Sequence, residues 1–430
     1  MNSPTPLRLA DLALAALIFI TALLPRLAIA QAYNEPLDGE ERLYNRYAVP
    51  WAKGEGATPR EKALPWHPFG SFTHRPPGYA LFLGVIYRLA GSENFAAVRT
   101  VQAWLDASSA AGIYVLALLL FAGLAGRFIG VASRTVGLAA GLATARYDFL
   151  MQFVARLLSE SFFLWLSLAF LIVALVAVRR QRPAWSLLGG YVLGLANLTR
   201  PFLLPAAPGY LLWLAIAPQL DRRRRHVALA ALGLVLAIGP VTLRNWQFHH
   251  QFILISTNSG FTLFKSLSEV EGLRDPAALG TQEEVEALGL GEVAEQAEYR
   301  RRALDYMRTH PRDLPAIFAR KAEVLLAAKG GFKISHVLMV TPDDEWLYPL
   351  ALLGACLSLL IRPGKAWHPR LLVVGVIASQ YLVSLLANAE VRYRVPIVPL
   401  LLVLAAWAAW GLVDAGASFV SARRQAGATV

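Results

Sequence analysis

The sequence predicts an all-α polytopic membrane protein with about ten transmembrane helices and two large extracytoplasmic loops. Hydrophobic residues make up 56% of the 430 residues, and charged residues only 16%. A soluble domain carries about 25% charged residues, so this chain could not cover its surface in water. The apolar residues also cluster in long runs, and a run of roughly 18 or more can cross a bilayer as a helix.

The apolar runs predict ten membrane spans in chain order. The first is too long for the apolar part of a cleavable signal peptide, so we interpret it as a membrane helix that contains Pro25. The predicted spans are residues 9–32, 95–122, 128–146, 158–178, 185–199, 201–217, 226–243, 346–361, 371–387 and 395–414.

Arginine clusters between the spans predict the orientation of the chain. Cytoplasmic loops carry an excess of Lys and Arg, and all five clusters fall on one face if the N-terminus is cytoplasmic. This orientation places the loops 33–94 and 244–345 outside the cytoplasm. It also explains the net charge of +12, so we do not expect nucleic acid binding. The clusters lie at residues 127–134, 179–182, 222–225, 362–370 and 423–424.

The loops divide the chain into three predicted regions. Residues 1–243 form an N-terminal catalytic membrane module, 244–345 the second outer loop, and 346–430 the C-terminal membrane helices. The apolar segment 79–89 is too short to cross the hydrocarbon core, so we predict a helix at the outer surface. Residues 281–308 predict a charged, solvated helix. The single cysteine excludes a disulfide within the chain.

The first outer loop begins with a group of carboxylates that are candidates for catalysis. Glu35, Asp38, Glu40 and Glu41 lie within seven residues, directly after the first span. A partly desolvated carboxylate near the membrane can act as a general base, and Asp38 is our candidate because it lies closest to the helix end. The alternative is a solvated start of the loop. His74, in the same loop, is a further catalytic candidate, although a lone histidine more often has a structural role.

Four arginines lie at the predicted outer ends of spans, against the positive-inside bias. They are Arg200, Arg244, Arg392 and Arg394. Because guanidinium groups bind phosphate oxygens in a two-pronged geometry, these arginines are candidates for a phosphate site. The alternative is that their long side chains extend to lipid headgroups.

Other side chains on the same predicted face are candidates for positioning a substrate. Glu160 begins the fourth span, where a buried charge usually has a partner. It could orient a substrate or pair with an arginine. Tyr44 follows the carboxylate group, and Lys333 precedes the eighth span beside Lys329 and His336.

Several short motifs resemble, in their order, the GT-C superfamily of membrane glycosyltransferases. The similarity is greatest to the protein O-mannosyltransferase and aminoarabinose-transferase group, including its RgtA–D-like bacterial branch. Each motif alone is weakly specific, and their order and placement carry the resemblance. The acidic loop after the first span is followed by Pro-Pro-Gly-Tyr at 76–79, Leu-Ser-Glu-Ser at 158–161, Gly-Leu-Ala-Asn-Leu-Thr-Arg-Pro at 194–201, Ser-Thr-Asn-Ser-Gly at 256–260 and Arg-Tyr-Arg-Val-Pro at 392–396.

The resemblance implies a sugar transfer with inversion, from a polyprenyl-phosphate donor to an acceptor hydroxyl or amine outside the cytoplasm. The acceptor would be a glycolipid, a polysaccharide such as lipopolysaccharide, or a protein, and the location a bacterial inner membrane. The family's essential acidic residue falls on Asp38. The family's paired Asp-Glu is interrupted here by Gly39, which leaves open whether Glu40 or Glu41 assists and whether a divalent metal is involved. No cofactor is expected, and no metal is indicated.

A transporter or lipid-linked glycan flippase is the alternative class. It would explain the many spans and the intramembrane charges equally well. Transporter sites usually lie near the midplane between two repeated halves, and the sequence shows no such repeat. A ligase that joins a glycan to a lipid is a chemical neighbour, since it uses the same class of donor.

Overall fold

A computed structural model of the chain consists of helices joined by short connections. It describes residues 9–54, 73–121, 129–268, 275–326, 346–360 and 367–427. The predicted all-α class is confirmed. The helices are α1 Leu9–Ala32, α2 Gly39–Lys53, α3 Gly78–Ala90, α4 Phe95–Phe121, α5 Ile129–Arg146, α6 Asp148–Met151, α7 Glu160–Arg180, α8 Pro183–Thr199, α9 Ala206–Ile216, α10 Arg223–His249, α11 Ser259–Ser268, α12 Pro276–Leu279, α13 Gln282–Glu286, α14 Glu292–Thr309, α15 Leu314–Leu326, α16 Leu347–Leu360, α17 Trp367–Leu386 and α18 Val398–Gly427.

Six helices within the described ranges are long and apolar enough to cross a membrane. They are α1, α4, α7, α10, α17 and the first part of α18. Helices also occupy the other four predicted spans, but α8, α9 and α16 have only 17, 11 and 14 residues. The polytopic membrane class is therefore confirmed, and the number of ten spans stays a prediction.

Buried ion pairs tie α1 to α4 and α5. The Arg26 side chain is fully buried, with Nε 2.5 Å from Asp106 Oδ1 and Nη1 2.7 Å from the carbonyl oxygen of Ala145. Nearer the start of α1, Arg134 Nε lies 2.6 Å from Asp11 Oδ1. Because an unpaired charge inside a membrane is costly, these pairs fix the three helices against one another. Sequence analysis did not identify them.

Glycines bring α8 and α10 into close contact and so set the position of the end of α8. A Cβ added to Gly190 would overlap the carbonyl oxygen of Ala230, and one added to Gly233 would overlap that of Leu187. Small residues allow such close approach between membrane helices. The helix α8 ends before Arg200, which is extended because Pro201 follows it.

The first outer loop contains a platform of two packed helices, α2 and α3. The Glu41 side chain accepts a hydrogen bond from the backbone N–H of Asp38 at 3.1 Å, which caps the start of α2. The rings of Tyr44 on α2 and Tyr79 on α3 meet edge to face at 4.8 Å. With 13 residues, α3 is about 20 Å long, which is too short for a hydrocarbon core of about 30 Å. Its placement at the outer surface stays a prediction.

The predicted second outer loop contains the helices α11–α15, which we call the outer lobe. The helices α11 and α14 pack closely, since a Cβ on Gly260 would overlap the backbone of Gln296. The predicted charged helix over residues 281–308 is instead two helices, α13 and α14, because Gly289 adopts a left-handed φ of 61° between them. The helix α10 also continues to His249, past the predicted end of the membrane module at residue 243.

Candidate functional site

Side chains from five separate segments meet in one group of charges. Arg392 Nη1 lies 2.5 Å from Glu40 Oε2 and 3.5 Å from Glu160 Oε1. Arg200 Nη1 lies 2.6 Å from the same Glu160 oxygen, and Arg75 Nη1 lies 3.6 Å from Glu40 Oε1. We call these five residues the charge cluster. It assembles at the start of α2, before α3, at the start of α7, after α8 and in the turn before α18.

Glu160 holds two arginines next to each other. Its side chain is 1% exposed, and its oxygens accept no hydrogen bond from the described residues, although both guanidinium groups are within ion-pair distance. The Arg200 guanidinium also lies over the ring of Tyr393, at 4.9 Å from its centroid. Glu390 also holds Arg392, since its Oε2 lies 2.5 Å from Arg392 Nε. Both guanidinium heads are thus fixed before any ligand binds.

The electrostatics of the cluster keep Glu40 ionised. Burial raises the pKa of its carboxyl, but the guanidinium groups of Arg392, Arg75 and Arg200 more than offset this effect and lower the pKa to about 2. A carboxylate with so low a pKa is a weak base. Glu40 therefore serves to hold the arginines rather than to accept a proton.

The other two carboxylates at the start of α2 pair with Arg156. Its Nη2 forms an ion pair with Asp38 and lies 3.2 Å from Glu41 Oε2. Glu41 is buried and accepts a hydrogen bond from the Leu157 N–H at 2.8 Å, and burial raises the pKa of its carboxyl. The Asp38 side chain is 55% exposed. Of the three carboxylates at the start of α2, Asp38 is the most exposed.

A cavity of about 610 Å³ adjoins the charge cluster. It is of the size that commonly holds a small-molecule ligand. On the side of the membrane helices its charged lining consists of Glu40, Arg75, Arg200 and Arg392, together with the buried Tyr44. The opposite lining comes from residues 252–259 and from the outer lobe. Arginines outnumber carboxylates in this lining, so the cavity favours an anionic ligand.

The structure brings together part of the set of residues predicted from sequence. Arg200, Arg392 and Tyr44 line the cavity, and Glu160 lies directly behind two of them. Asp38 lies two residues before Glu40 of the charge cluster, but it does not line the cavity.

The remaining predicted residues lie elsewhere or outside the described ranges. His74 is 1% exposed and packs beside Phe261, with 6.4 Å between ring centroids. Arg244 lies over the ring of Phe248 at 5.3 Å. Arg394 lies over the ring of Tyr348 at 4.4 Å and donates to a backbone carbonyl of α15. None of the three lines the cavity. Lys333, Lys329 and His336 are outside the described residues.

Sequence analysis missed two arginines of the cavity lining, Arg75 and Arg300. Arg75 breaks the positive-inside bias as much as Arg200 does, and this signal could have identified it. Arg300 belongs to a run of three arginines that predicted a solvated helix face. The packing of α14 places Arg300 in the cavity lining and leaves the other two arginines outside it. Within the described ranges, no group of three or more His, Cys, Asp or Glu side chains could hold a metal ion. The cavity lining offers the cationic side chains Arg75, Arg200, Arg300 and Arg392 to a phosphate.

Comparison with known proteins agrees with this membrane fold. Residues 74–243, less than half of the chain, match a family described as dolichyl-phosphate-mannose-protein mannosyltransferase. No curated protein matches the chain. Two similar solved structures are crystal structures of the Archaeoglobus fulgidus oligosaccharyltransferase, each 14% identical. One is tethered to an acceptor peptide containing the NVT sequon, and the other is a complex with Zn and sulfate.

The similarity to these structures extends over most of the chain. The TM-scores are 0.54 and 0.52, and the matches cover 92% and 95% of this chain but 49% and 51% of the oligosaccharyltransferase. The chain thus spans about half the length of these proteins, and at this identity the similarity shows the fold alone. The fold and the charged cavity define a polytopic membrane protein with a site at its helix ends. Residues 74–243 thus match a mannosyltransferase family, and the fold of the chain is similar to that of the oligosaccharyltransferase.

Proposed function

We propose that the protein is a glycosyltransferase that moves a sugar from a polyprenyl-phosphate donor to an extracytoplasmic acceptor, with inversion. The observation that carries the proposal is the pair of arginines, Arg200 and Arg392, which Glu160 holds side by side at a cavity next to membrane helices. A lipid-borne donor needs a site that membrane lipids can reach. Its leaving group is an anionic phosphate, which needs fixed cations.

The two arginines are arranged to stabilise the departing phosphate. Their Nη1 atoms lie 2.6 Å and 3.5 Å from the same oxygen of Glu160, so the two guanidinium groups converge on one region. Planar guanidinium groups donate paired hydrogen bonds to phosphate oxygens. Donors fixed in advance stabilise charge that develops in the transition state without reorganisation at the moment of reaction. Arg200 and Arg392 therefore bind the donor phosphate in this proposal.

A second, apolar cavity lies next to the first and suits the prenyl chain. Its volume is about 520 Å³, and it shares Phe252 and Leu254 with the charged cavity. Its other lining lies mainly on one face of α10 and includes Leu234, Ile238 and Trp246. The proximity of the two cavities supports a donor with its phosphate at the arginines and its chain along α10.

Asp38 is the general base in this proposal. Glu40 is a weak base because its pKa is about 2, and Glu41 is buried against the Leu157 N–H. Asp38 is the accessible carboxylate that remains. It removes the acceptor proton while the acceptor oxygen attacks the anomeric carbon on the face opposite the phosphate. The bond from the anomeric carbon to the phosphate oxygen breaks, and polyprenyl phosphate leaves.

The competing class is a flippase or transporter. Transporter sites lie near the midplane, often at broken helices. The charge cluster instead lies at helix termini, since Glu160 begins α7 and Arg200 follows the end of α8. This position supports chemistry at a membrane surface, and we place that surface on the extracytoplasmic side of a bacterial inner membrane. The acceptor is a glycolipid, a polysaccharide or a protein in this proposal.

A transfer assay in liposomes tests the proposal. The purified chain is reconstituted with a radiolabelled polyprenyl-phosphate sugar and a membrane extract as the source of acceptor. We expect label to pass to a new species in the wild type and not in an Arg200→Gln, Arg392→Gln double variant. The control is Arg301→Gln, which removes a charge from the outer lobe away from the cavity lining. Label that changes leaflet but stays on the donor would contradict the proposal and favour a flippase.

A further inference from the structure

One face of α14 forms part of the cavity wall on the side of the outer lobe. Val293, Gln296 and Arg300 are spaced three and four residues apart, so they share one helix face, and all three line the cavity. The proposed catalytic steps use none of them. Of the three side chains, Gln296 offers a hydrogen-bond donor and Arg300 a cation.

Gln296 presents a side-chain donor that no described residue satisfies. Its side chain is buried, with the whole residue 1% exposed, and its Oε1 accepts a hydrogen bond from the Phe261 N–H at 2.9 Å. This bond fixes the amide and leaves Nε2 without a hydrogen-bond partner among the described residues. A buried donor without an acceptor is unfavourable, which is a reason to expect an acceptor from a ligand.

Arg300 differs from Arg301 and Arg302 because no described carboxylate forms an ion pair with it. Arg301 Nη2 lies 2.7 Å from Glu298, and Arg302 Nη1 lies 2.8 Å from Glu284. In the part of the chain that the structure describes, Arg300 makes no such ion pair, and it lines the cavity. Its charge is therefore available to a ligand.

The start of α11 adds further donors to the same wall. Asn258, Ser259 and Thr262 line the cavity, and the N-terminus of a helix favours anions. Asn258 Oδ1 accepts a hydrogen bond from Ser256 at 3.0 Å, which leaves its Nδ2 as the donor toward a ligand. Glu292, on the first turn of α14, accepts a hydrogen bond from Thr257 and does not line the cavity.

We propose that Arg300, Gln296 and Asn258, with the start of α11, bind a carboxylate or phosphate group on the acceptor. We call these residues the outer anion site. The inference rests on the proposed function, since the membrane-side arginines are there assigned to the donor phosphate. The outer lobe forms the other wall of the same cavity, so it is left to contact the acceptor. The favoured acceptor is thus an acidic or phosphorylated glycan.

A binding experiment with matched glycolipids tests this proposal. The full chain is placed in phosphatidylcholine nanodiscs, and the probes are glucuronosyl-diacylglycerol, which has a carboxylate, and neutral glucosyl-diacylglycerol. We expect the wild type to bind the acidic lipid about tenfold more tightly, as for a hydrogen bond to a charged group. Arg300→Gln should abolish the preference, Arg300→Lys should retain part of it, and Arg301→Gln should leave it unchanged.

The outcomes separate the possible sources of the anion. The proposal is overturned if the wild type binds both lipids with equal affinity. It is also overturned if the Arg300→Gln and Arg301→Gln variants show the same preference for the acidic lipid. A short-chain polyprenyl-phosphate glucuronate and the matching glucose compound form a second arm. If Arg300→Gln changes the preference between these donors and not between the acceptors, the anion belongs to the transferred sugar, and the acceptor assignment is wrong. Because binding is measured without turnover, its failure is distinct from a failure of sugar transfer.

Discussion

At the scale of single residues, three neighbouring carboxylates at the start of α2 have different surroundings. Glu40 faces arginines, Glu41 is buried against a backbone N–H, and Asp38 is accessible beside Arg156. Spacing along the sequence cannot separate these cases, because partners such as Arg392, Leu157 and Arg156 lie more than a hundred positions away. Asp38 was nevertheless predicted as the base from its position at the end of the first span.

Replacing Asp38 with Asn tests the role of the base. Asn is as good as Asp at a helix N-cap, so α2 should remain folded. We expect kcat for sugar transfer to fall by about 10²- to 10⁴-fold, the usual contribution of general base catalysis. The control is Glu35→Gln, which removes a neighbouring carboxylate. Transfer at the wild-type rate by the Asp38 variant would exclude the proposed role.

The low pKa of Glu40 predicts a dependence of stability on pH. Its carboxyl has a pKa of about 2 in the folded protein, against 4.5 as the ordinary value. Ionised Glu40 therefore stabilises the fold above about pH 4.5, and this contribution is lost as the pH falls toward 2. We expect the apparent melting temperature in detergent to fall less steeply with acid in Glu40→Gln than in the wild type. Parallel curves for the two proteins would show that the ion pairs of Glu40 do not stabilise the fold.

At the scale of elements, hydropathy predicted the helices well because membrane helices need long apolar runs. All ten predicted spans contain a helix, although their number as spans stays a prediction. The charged segment 281–308 was harder, because a single left-handed glycine, Gly289, divides it. The ion pairs of Arg26 and Arg134 could not be predicted either, since each depends on which faces of two helices meet.

The contact between α8 and α10 predicts a sensitive position at Gly190. In Gly190→Ala, the new Cβ would overlap the Ala230 carbonyl group, so the helices must separate. We expect a loss of about 1–3 kcal/mol of stability, measured as a lower melting temperature, and a higher KM for the donor because Arg200 follows α8. The matched control is Gly209→Ala on α9, where the added Cβ meets no atom within 4 Å. An equal effect of both variants would show that helix separation is not the cause.

At the scale of the whole molecule, the orientation in the membrane remains a prediction that one labelling experiment can check. In a Cys356→Ser background, which removes the single cysteine, Ser92→Cys and Arg222→Cys introduce thiols at exposed sites. Ser92 belongs to the first outer loop and Arg222 to a predicted cytoplasmic cluster. We expect a membrane-impermeant maleimide to label intact cells of the Ser92 variant alone. Labelling of the Arg222 variant alone would show that the chain has the opposite orientation in the membrane.

The sequence also predicted about half of the candidate site, and the reason is physical. Arg200, Arg392 and Glu160 could be identified because a charge at the end of a membrane span is unusual wherever the chain folds. Arg300 could not, since a charge on a soluble helix is ordinary. Arg244 and Arg394 met the same criterion as Arg200, but they pack against aromatic rings outside the cavity. Their position depends on tertiary contacts that hydropathy does not encode.

The cavity has two walls that come from different stretches of the chain. The wall with the arginines of the charge cluster is built by residues flanking membrane helices, whereas the wall with Arg300 belongs to one continuous insertion between α10 and α16. A continuous segment of this kind can be exchanged as one unit. A graft of residues 256–309 between related enzymes should therefore carry the choice of acceptor with it and leave the donor chemistry in place. Evolution could diversify the products in the same way, by changing this segment while the residues that bind the donor stay the same.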